Sequence, residues 1–197
     1  MKKSLAKSAP HAQKAADPAV NKKIHLALDW LSTQPENTLA LVDELLAKDA
    51  GNPLLWVIAT KANQRLGQFF QADECVGKAL KIAPDYIEAI YAKSDLLYRS
   101  DRLPEAEVYL TEAVTRIGKN DSRPLRSLYA TVLQKQKKYE QAQAIYKELT
   151  DEAPDNWLFW NNLGMVGQDL SQFAAMDAAY VKSCAVSKDN PTPYFNR

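Results

Sequence analysis

Histidine and cysteine are nearly missing from this chain. The two histidines, His11 and His25, and the two cysteines, Cys75 and Cys184, fall at no recognised zinc spacing, so no metal site is expected. Glycine is scarce as well: there are six, and none opens a phosphate-cradling loop. Charge of one sign is absent too. Twenty-five Lys+Arg against twenty-four Asp+Glu leave a formal +1, which provides no field to gather nucleic acid or an anionic membrane. No apolar run approaches the ~20 residues of a membrane span. Catalytic groupings are missing in the same way. Asp43-Glu44, Asp73-Glu74 and Asp151-Glu152 are sequence neighbours and point to different sides of a helix, and Ser100, Ser127 and Ser171 have no positioned base. The expectation is a protein without enzymatic activity, cofactor, nucleic-acid partner or membrane partner. With so few cysteines, and those far apart along the chain, a reducing, cytoplasmic setting is expected.

What the chain does have is a repeating hairpin. Asn52 to Asp85 reads as two short helices and a turn: Trp56, Ala59 and Asn63 on a first stripe, a break at Gly67, then Phe69, Ala72, Val76 and Ala79 at three- and four-residue steps, and a stop at Pro84. A hairpin of this size cannot bury its own apolar stripes, so it needs neighbours. Ala72, Ala106 and Ala142 follow at intervals of 34 and 36 residues. A bulky residue before each alanine recurs as Phe69, Leu103, Tyr139 and Phe173, and a later one as Val76, Leu110, Tyr146 and Tyr180. Three departures stand out: Met176 at the alanine position of the last unit, Gly118 in place of Pro84 and Pro154, and a first unit that lacks the aromatics at the recurring positions and keeps only Ala40 and Ala47. That unit reads as a degenerate cap.

The period of 34 and the run Trp160-Asn161-Asn162-Leu163-Gly164 resemble the tetratricopeptide repeat over residues 21 to 190. The resemblance implies an all-α fold, a right-handed solenoid of about five helix-turn-helix repeats and ten helices. Repeats are placed at about 21–52, 53–86, 87–120, 123–156 and 157–190, within a domain covering 20–190.

Residues 1–19 read as a basic, solvated tail, with an organelle transit peptide as the alternative. Local punctuation supports the frame. Asn52-Pro53 caps and opens a helix. Thr33–Glu36 and Asp85–Glu88 read as capping boxes, and the run Lys135–Lys138 as cations at a helix C-terminus. Gly164 and Gly167 inside a helix imply a close neighbouring helix. Asn190–Tyr194 aligns with Asn52–Trp56, so residues 191–197 read either as the opening of a further repeat in a longer protein or as a small cap formed by Tyr194 and Phe195.

The resemblance further implies a concave groove lined by the first helices. The expected lining is Val57, Lys61 and Gln64; Tyr91, Asp95 and Tyr98; Ser127, Thr131 and Gln134; and Asn161, Met165 and Gln168. This set of tyrosines, amides and single charges suits an extended protein or peptide partner. The Lys and Asn of carboxylate-gripping repeats are absent, since Val57 and Lys61 hold those places. Of the asparagine ladder found in repeats fused to sugar transferases, only Asn162 remains. The leading expectation is a protein-interaction scaffold. The alternative is the amino-terminal module of a larger sulfotransferase or glycosyltransferase, and self-association through an uncovered C-terminal repeat is a further expectation.

Overall fold

A computed structural model describes residues 18–119 and 121–187. Those residues form ten helices and no strand: α1 Pro18–Trp30, α2 Pro35–Leu46, α3 Pro53–Arg65, α4 Phe69–Ile82, α5 Ile87–Arg99, α6 Leu103–Ile117, α7 Arg123–Lys135, α8 Tyr139–Glu152, α9 Trp157–Asp169 and α10 Phe173–Val186. α1 opens at Pro18, two residues inside the segment read as a tail. The readings made for residues 1–17 and 188–197 lie outside the described residues.

Substantial packing joins only helices one or two places apart in the chain, so the molecule is a row of hairpins and not a bundle. Within the row, α1, α3, α5 and α7 touch one another in succession, whereas the even-numbered helices pack on the helix before and the helix after. The row whose members approach each other lies on the inside of the curve. This puts the odd-numbered helices on the concave face.

Small side chains on the even helices set the spacing. Ala72, Ala106 and Ala142 are fully buried, as are Val76, Leu110, Tyr146 and Leu149. Each is sheltered between its own hairpin partner and the next hairpin, where burying a Val- or Leu-sized side chain contributes roughly 1.5–3 kcal/mol. The first repeat obeys the same rule in a different frame from the one expected. Ala40 and Ala47 are exposed, while Thr38, Val42 and Leu45 are buried, each 34 residues before Ala72, Val76 and Ala79. A hydroxyl does not announce a core position, yet Thr38 Oγ1 donates to the Gln34 carbonyl at 3.1 Å and the Ala27 carbonyl at 3.3 Å, so its burial leaves no polar atom unpaired.

Four of the five turns from odd to even helix are the same device. Gly67, Asp101, Lys137 and Ser171 all have positive φ, between 57° and 71°. The next amide in each case reaches back to the carbonyl five residues earlier: Gln68 to Asn63, Arg102 to Leu97, Lys138 to Leu133 and Gln172 to Gly167, at 2.8–2.9 Å. This is a left-handed C-terminal cap that satisfies helix-end carbonyls. At the helix starts, Asn52 and Asn156 accept from the Leu54 and Leu158 amides at 3.1 Å. The Trp56 and Trp160 indoles tie back to the carbonyls of Ala50 and Pro154, each at 2.9 Å.

Two expected capping boxes are not formed. α2 begins at Pro35, so Gln34 is the cap residue and Thr33 lies one place too early; Asn37 Nδ2 donates to Gln34 Oε1 at 2.7 Å instead. Tyr86, not Asp85, caps α5, and Asp85 pairs with Arg116 Nε at 2.7 Å. The lysine run also does more than face solvent: Lys138 Nζ reaches Glu107 Oε1 at 2.6 Å.

The last hairpin exchanges large for small. A Cβ on Gly164 would stand 2.6 Å from the Tyr180 ring, and one on Gly167 3.2 Å from the Met176 backbone. The unexpected Met176 is therefore accommodated by a glycine across the helix pair, in keeping with the close neighbour that the two glycines imply.

Candidate binding groove

The concave face carries two clefts that meet at one side chain. The first, of about 540 Å³, is walled by Leu31, Lys61, Arg65, Phe69, Tyr91 and Arg99, with Gln64, Ala92 and Asp95 between them. The second, of about 590 Å³, runs from Tyr91 past Arg123, Pro124 and Ser127 to Ala153, Leu158 and Phe159. Tyr91 is the shared wall. The helices supply this layout directly. Lys61 and Arg65 are one turn apart on α3, as are Asp95 and Arg99 on α5, so they stack on one side of the face, and Pro124 and Leu158 sit in the first turns of α7 and α9.

The expected lining residues divide three ways. Lys61, Gln64, Tyr91 and Asp95 share the first cleft, and Tyr91 and Ser127 the second. Tyr98, Thr131, Gln134, Met165 and Gln168 line neither cleft, although Met165 and Gln168 are exposed and the others half-buried. Val57 and Asn161 are buried, at 1% and 4% exposure, and offer a visitor almost no surface. Val57 packs with Ala72, Val76, Ala89 and Ala92 at the junction of two repeats. Asn161 Nδ2 is directed to Asn162 Oδ1 at 3.4 Å and to Met165 Sδ at 3.6 Å. Their place in the repeat put both on the first helices, but packing against neighbouring side chains leaves them covered.

Several groove residues are engaged with one another. Asp95 accepts from Arg99 Nε at 2.7 Å and from Gln64 Nε2 at 3.4 Å. The hydrogen bond and charge of Asp95 raise the Arg99 guanidinium further above its already high range. Gln134 Nε2 donates to Asp169 at 2.6 Å. Behind the face, Tyr146 of α8 places its hydroxyl 2.8 Å from Thr131 Oγ1 and donates to the Ser127 carbonyl at 3.1 Å. Burial pushes this phenol above its ordinary range, with the hydrogen bonds from its neighbours opposing the shift. Burial, aided by the Asp95 charge, also raises the Tyr91 phenol, so Tyr91 is a neutral hydrogen-bonding aromatic across the physiological range.

Sequence reasoning missed Arg65 and Arg99, each one residue beyond the positions it projected and one helical turn from Lys61 and Asp95. It also missed Phe69, Leu158 and Phe159 as groove residues. For Phe69 the signal was present, since it follows a turn that folds it back beside α3. Among the described residues, no group of three or more His, Cys, Asp and Glu is placed to hold a metal ion, and no helix is long and apolar enough to cross a membrane.

Comparison with known proteins agrees with this geometry. Residues 125–156, the α7–α8 hairpin, match the tetratricopeptide repeat family model. The fold is that of a tetratricopeptide-repeat solenoid. Among solved tetratricopeptide structures, PilW, a widely conserved type IV pilus biogenesis factor, superimposes with a TM-score of 0.75 at 21% identity, 89% of this chain covering 80% of that one. TTC0263, a thermophilic tetratricopeptide protein from Thermus thermophilus, gives 0.75 at 17% identity, with 89% and 95% covered. YrrB, described as a tetratricopeptide protein with an unusual peptide-binding site, gives 0.60 at 18% identity, with 88% and 89% covered. No curated protein matches the chain. At these identities the likeness establishes the fold, which in general serves protein–protein contacts.

Proposed function

We propose that this tetratricopeptide protein is a non-enzymatic scaffold that holds an extended segment of a partner protein in its concave groove. The observation that carries the reading is the pair of clefts joined at Tyr91 on the face formed by the odd-numbered helices. Together they offer apolar walls for side chains and the polar groups of Lys61, Gln64 and Ser127 for a peptide backbone, the combination that suits strand-like segments without their own secondary structure. Tyr91 adds a large, rigid contact surface at low entropic cost. A protein of this fold described as having a peptide-binding site, YrrB, supports the same reading.

The test is a pull-down with the full chain against the triple variant Lys61→Ala, Gln64→Ala, Tyr91→Ala, with circular dichroism showing that both remain helical. Loss of captured partners in the triple variant is the expected result. Capture of every partner by both forms overturns the groove assignment.

A further inference from the structure

The two clefts differ in charge, and that difference specifies what each accepts. In the first, Lys61, Arg65 and Arg99 face a single carboxylate, Asp95, which already accepts from Arg99 and Gln64. Among the described residues, Asp95 is paired with Arg99, and Lys61 and Arg65 form no ion pair. The second cleft balances Arg123 against Asp121 and is walled by Pro124, Leu158 and Phe159, with Leu158 42% exposed. Two cations without counter-charges cost little in water, but they become a specific attraction once an occupant displaces that water and lowers the local dielectric. Phe69, 45% exposed, and Leu31 border the same cations with apolar surface.

We propose, on the basis of the groove reading above, that the partner segment carries an aspartate or glutamate side chain beside an apolar residue. The carboxylate lies between Lys61 and Arg65, its apolar neighbour lies on Phe69 and Leu31, and a second apolar residue beyond Tyr91 fills the neutral cleft. The acidic group is a side chain within the segment. The planar guanidinium of Arg65 offers two parallel donors to a carboxylate, and Lys61 adds a point charge one helical turn away.

The experiment uses the full chain and a positional-scanning library of extended peptides, all N-acetylated and C-amidated so that no terminal carboxylate is present. Binding is read by fluorescence anisotropy at physiological and at high salt. The expected result is enrichment of Asp and Glu at one position beside an apolar preference, with affinity falling as salt rises. The double variant Lys61→Gln, Arg65→Gln loses the acidic enrichment and binds the selected peptides about tenfold more weakly, while keeping the apolar preference. The charge-matched control Lys22→Gln, Lys182→Gln keeps both. Selection of peptides without acidic preference, or undiminished acidic enrichment in the double variant, overturns this inference and leaves the groove reading standing. Retention of no peptide at all by the unaltered chain overturns both.

Discussion

Gly67, Asp101, Lys137 and Ser171 hold one and the same left-handed position in four turns, and only the first is glycine. A side chain with a Cβ costs on the order of 1 kcal/mol there, least for a short polar residue such as aspartate. Lys137→Gly removes that penalty at the expense of a more mobile unfolded chain, and it is expected to stabilise the protein by a few tenths to about 1 kcal/mol in a urea titration. The other glycines separate two opposing effects. A Cβ at Gly77 in α4 meets nothing within 4 Å, so Gly77→Ala gains helix propensity and should stabilise by about 0.5–1 kcal/mol. At Gly164 the same change drives a methyl into the buried Tyr180 ring. Overpacking costs about 1–3 kcal/mol, which outweighs the propensity gain. Gly164→Ala should therefore lower the urea midpoint, and the companion change Tyr180→Leu should recover part of the loss.

These residues show what the sequence made legible and what it did not. The helix ends came through because glycine, proline and asparagine act locally, as Gly67 and Asn52 do. The left-handed turn at Lys137 was not legible, since nothing about a lysine announces positive φ; only its register with Gly67 does. Arg126 was hidden for a related reason. It stands where Trp160 stands in the next repeat, yet it is buried at 5% exposure, with its guanidinium held by Glu148 at 2.9 Å and Glu152 at 2.8 Å. Burial of a cation depends on partners 22 and 26 residues away, which a periodic pattern does not reveal. In the groove, the positions of Lys61, Gln64, Tyr91 and Asp95 followed from the resemblance projected along the repeats, whereas the burial of Val57 and Asn161 depended on side-chain packing that a periodic pattern does not reveal.

Between elements, one polar tie recurs from repeat to repeat. Asp73 of α4 pairs with Lys93 of α5, Glu107 of α6 accepts from Gln136 and Lys138 in the turn between α7 and α8, and Gln143 of α8 donates to Gln172 at 2.8 Å in the turn between α9 and α10. The three residues hold equivalent places on their helices, so each of these even helices is pinned to the hairpin that follows. The hydrogen bond from Lys138 holds the Glu107 carboxyl below the usual carboxylate range, with desolvation opposing it. A depressed carboxylate contributes stability above its unfolded pKa and loses it as pH falls through the lower folded value. A double-mutant cycle of Glu107→Ala and Lys138→Ala should give a coupling of about 0.5–1 kcal/mol at neutral pH. That coupling should vanish once acid protonates Glu107. Coupling that persists unchanged in acid would show that packing, and not the ion pair, joins the two hairpins.

The whole molecule follows from this repetition. Each hairpin shelters the apolar side of its neighbour, and the small residues Ala72, Ala106 and Ala142 keep the rows close enough to curve. The inner row then presents a continuous face whose chemistry is free to vary, because the side chains that hold the row together point away from it. Charge gathers at Lys61, Arg65 and Arg99 and apolar surface at Pro124, Leu158 and Phe159, with Tyr91 between them. The most direct test of the groove is backbone-amide NMR of the full chain titrated with a capped peptide bearing one glutamate and two apolar residues. Occupation of the concave face predicts shift changes concentrated at Lys61, Arg65, Tyr91 and Ser127 on the odd-numbered helices and at Leu158 and Phe159. Changes confined to the outer faces of α4, α6 and α8, with the odd helices unmoved, would contradict it.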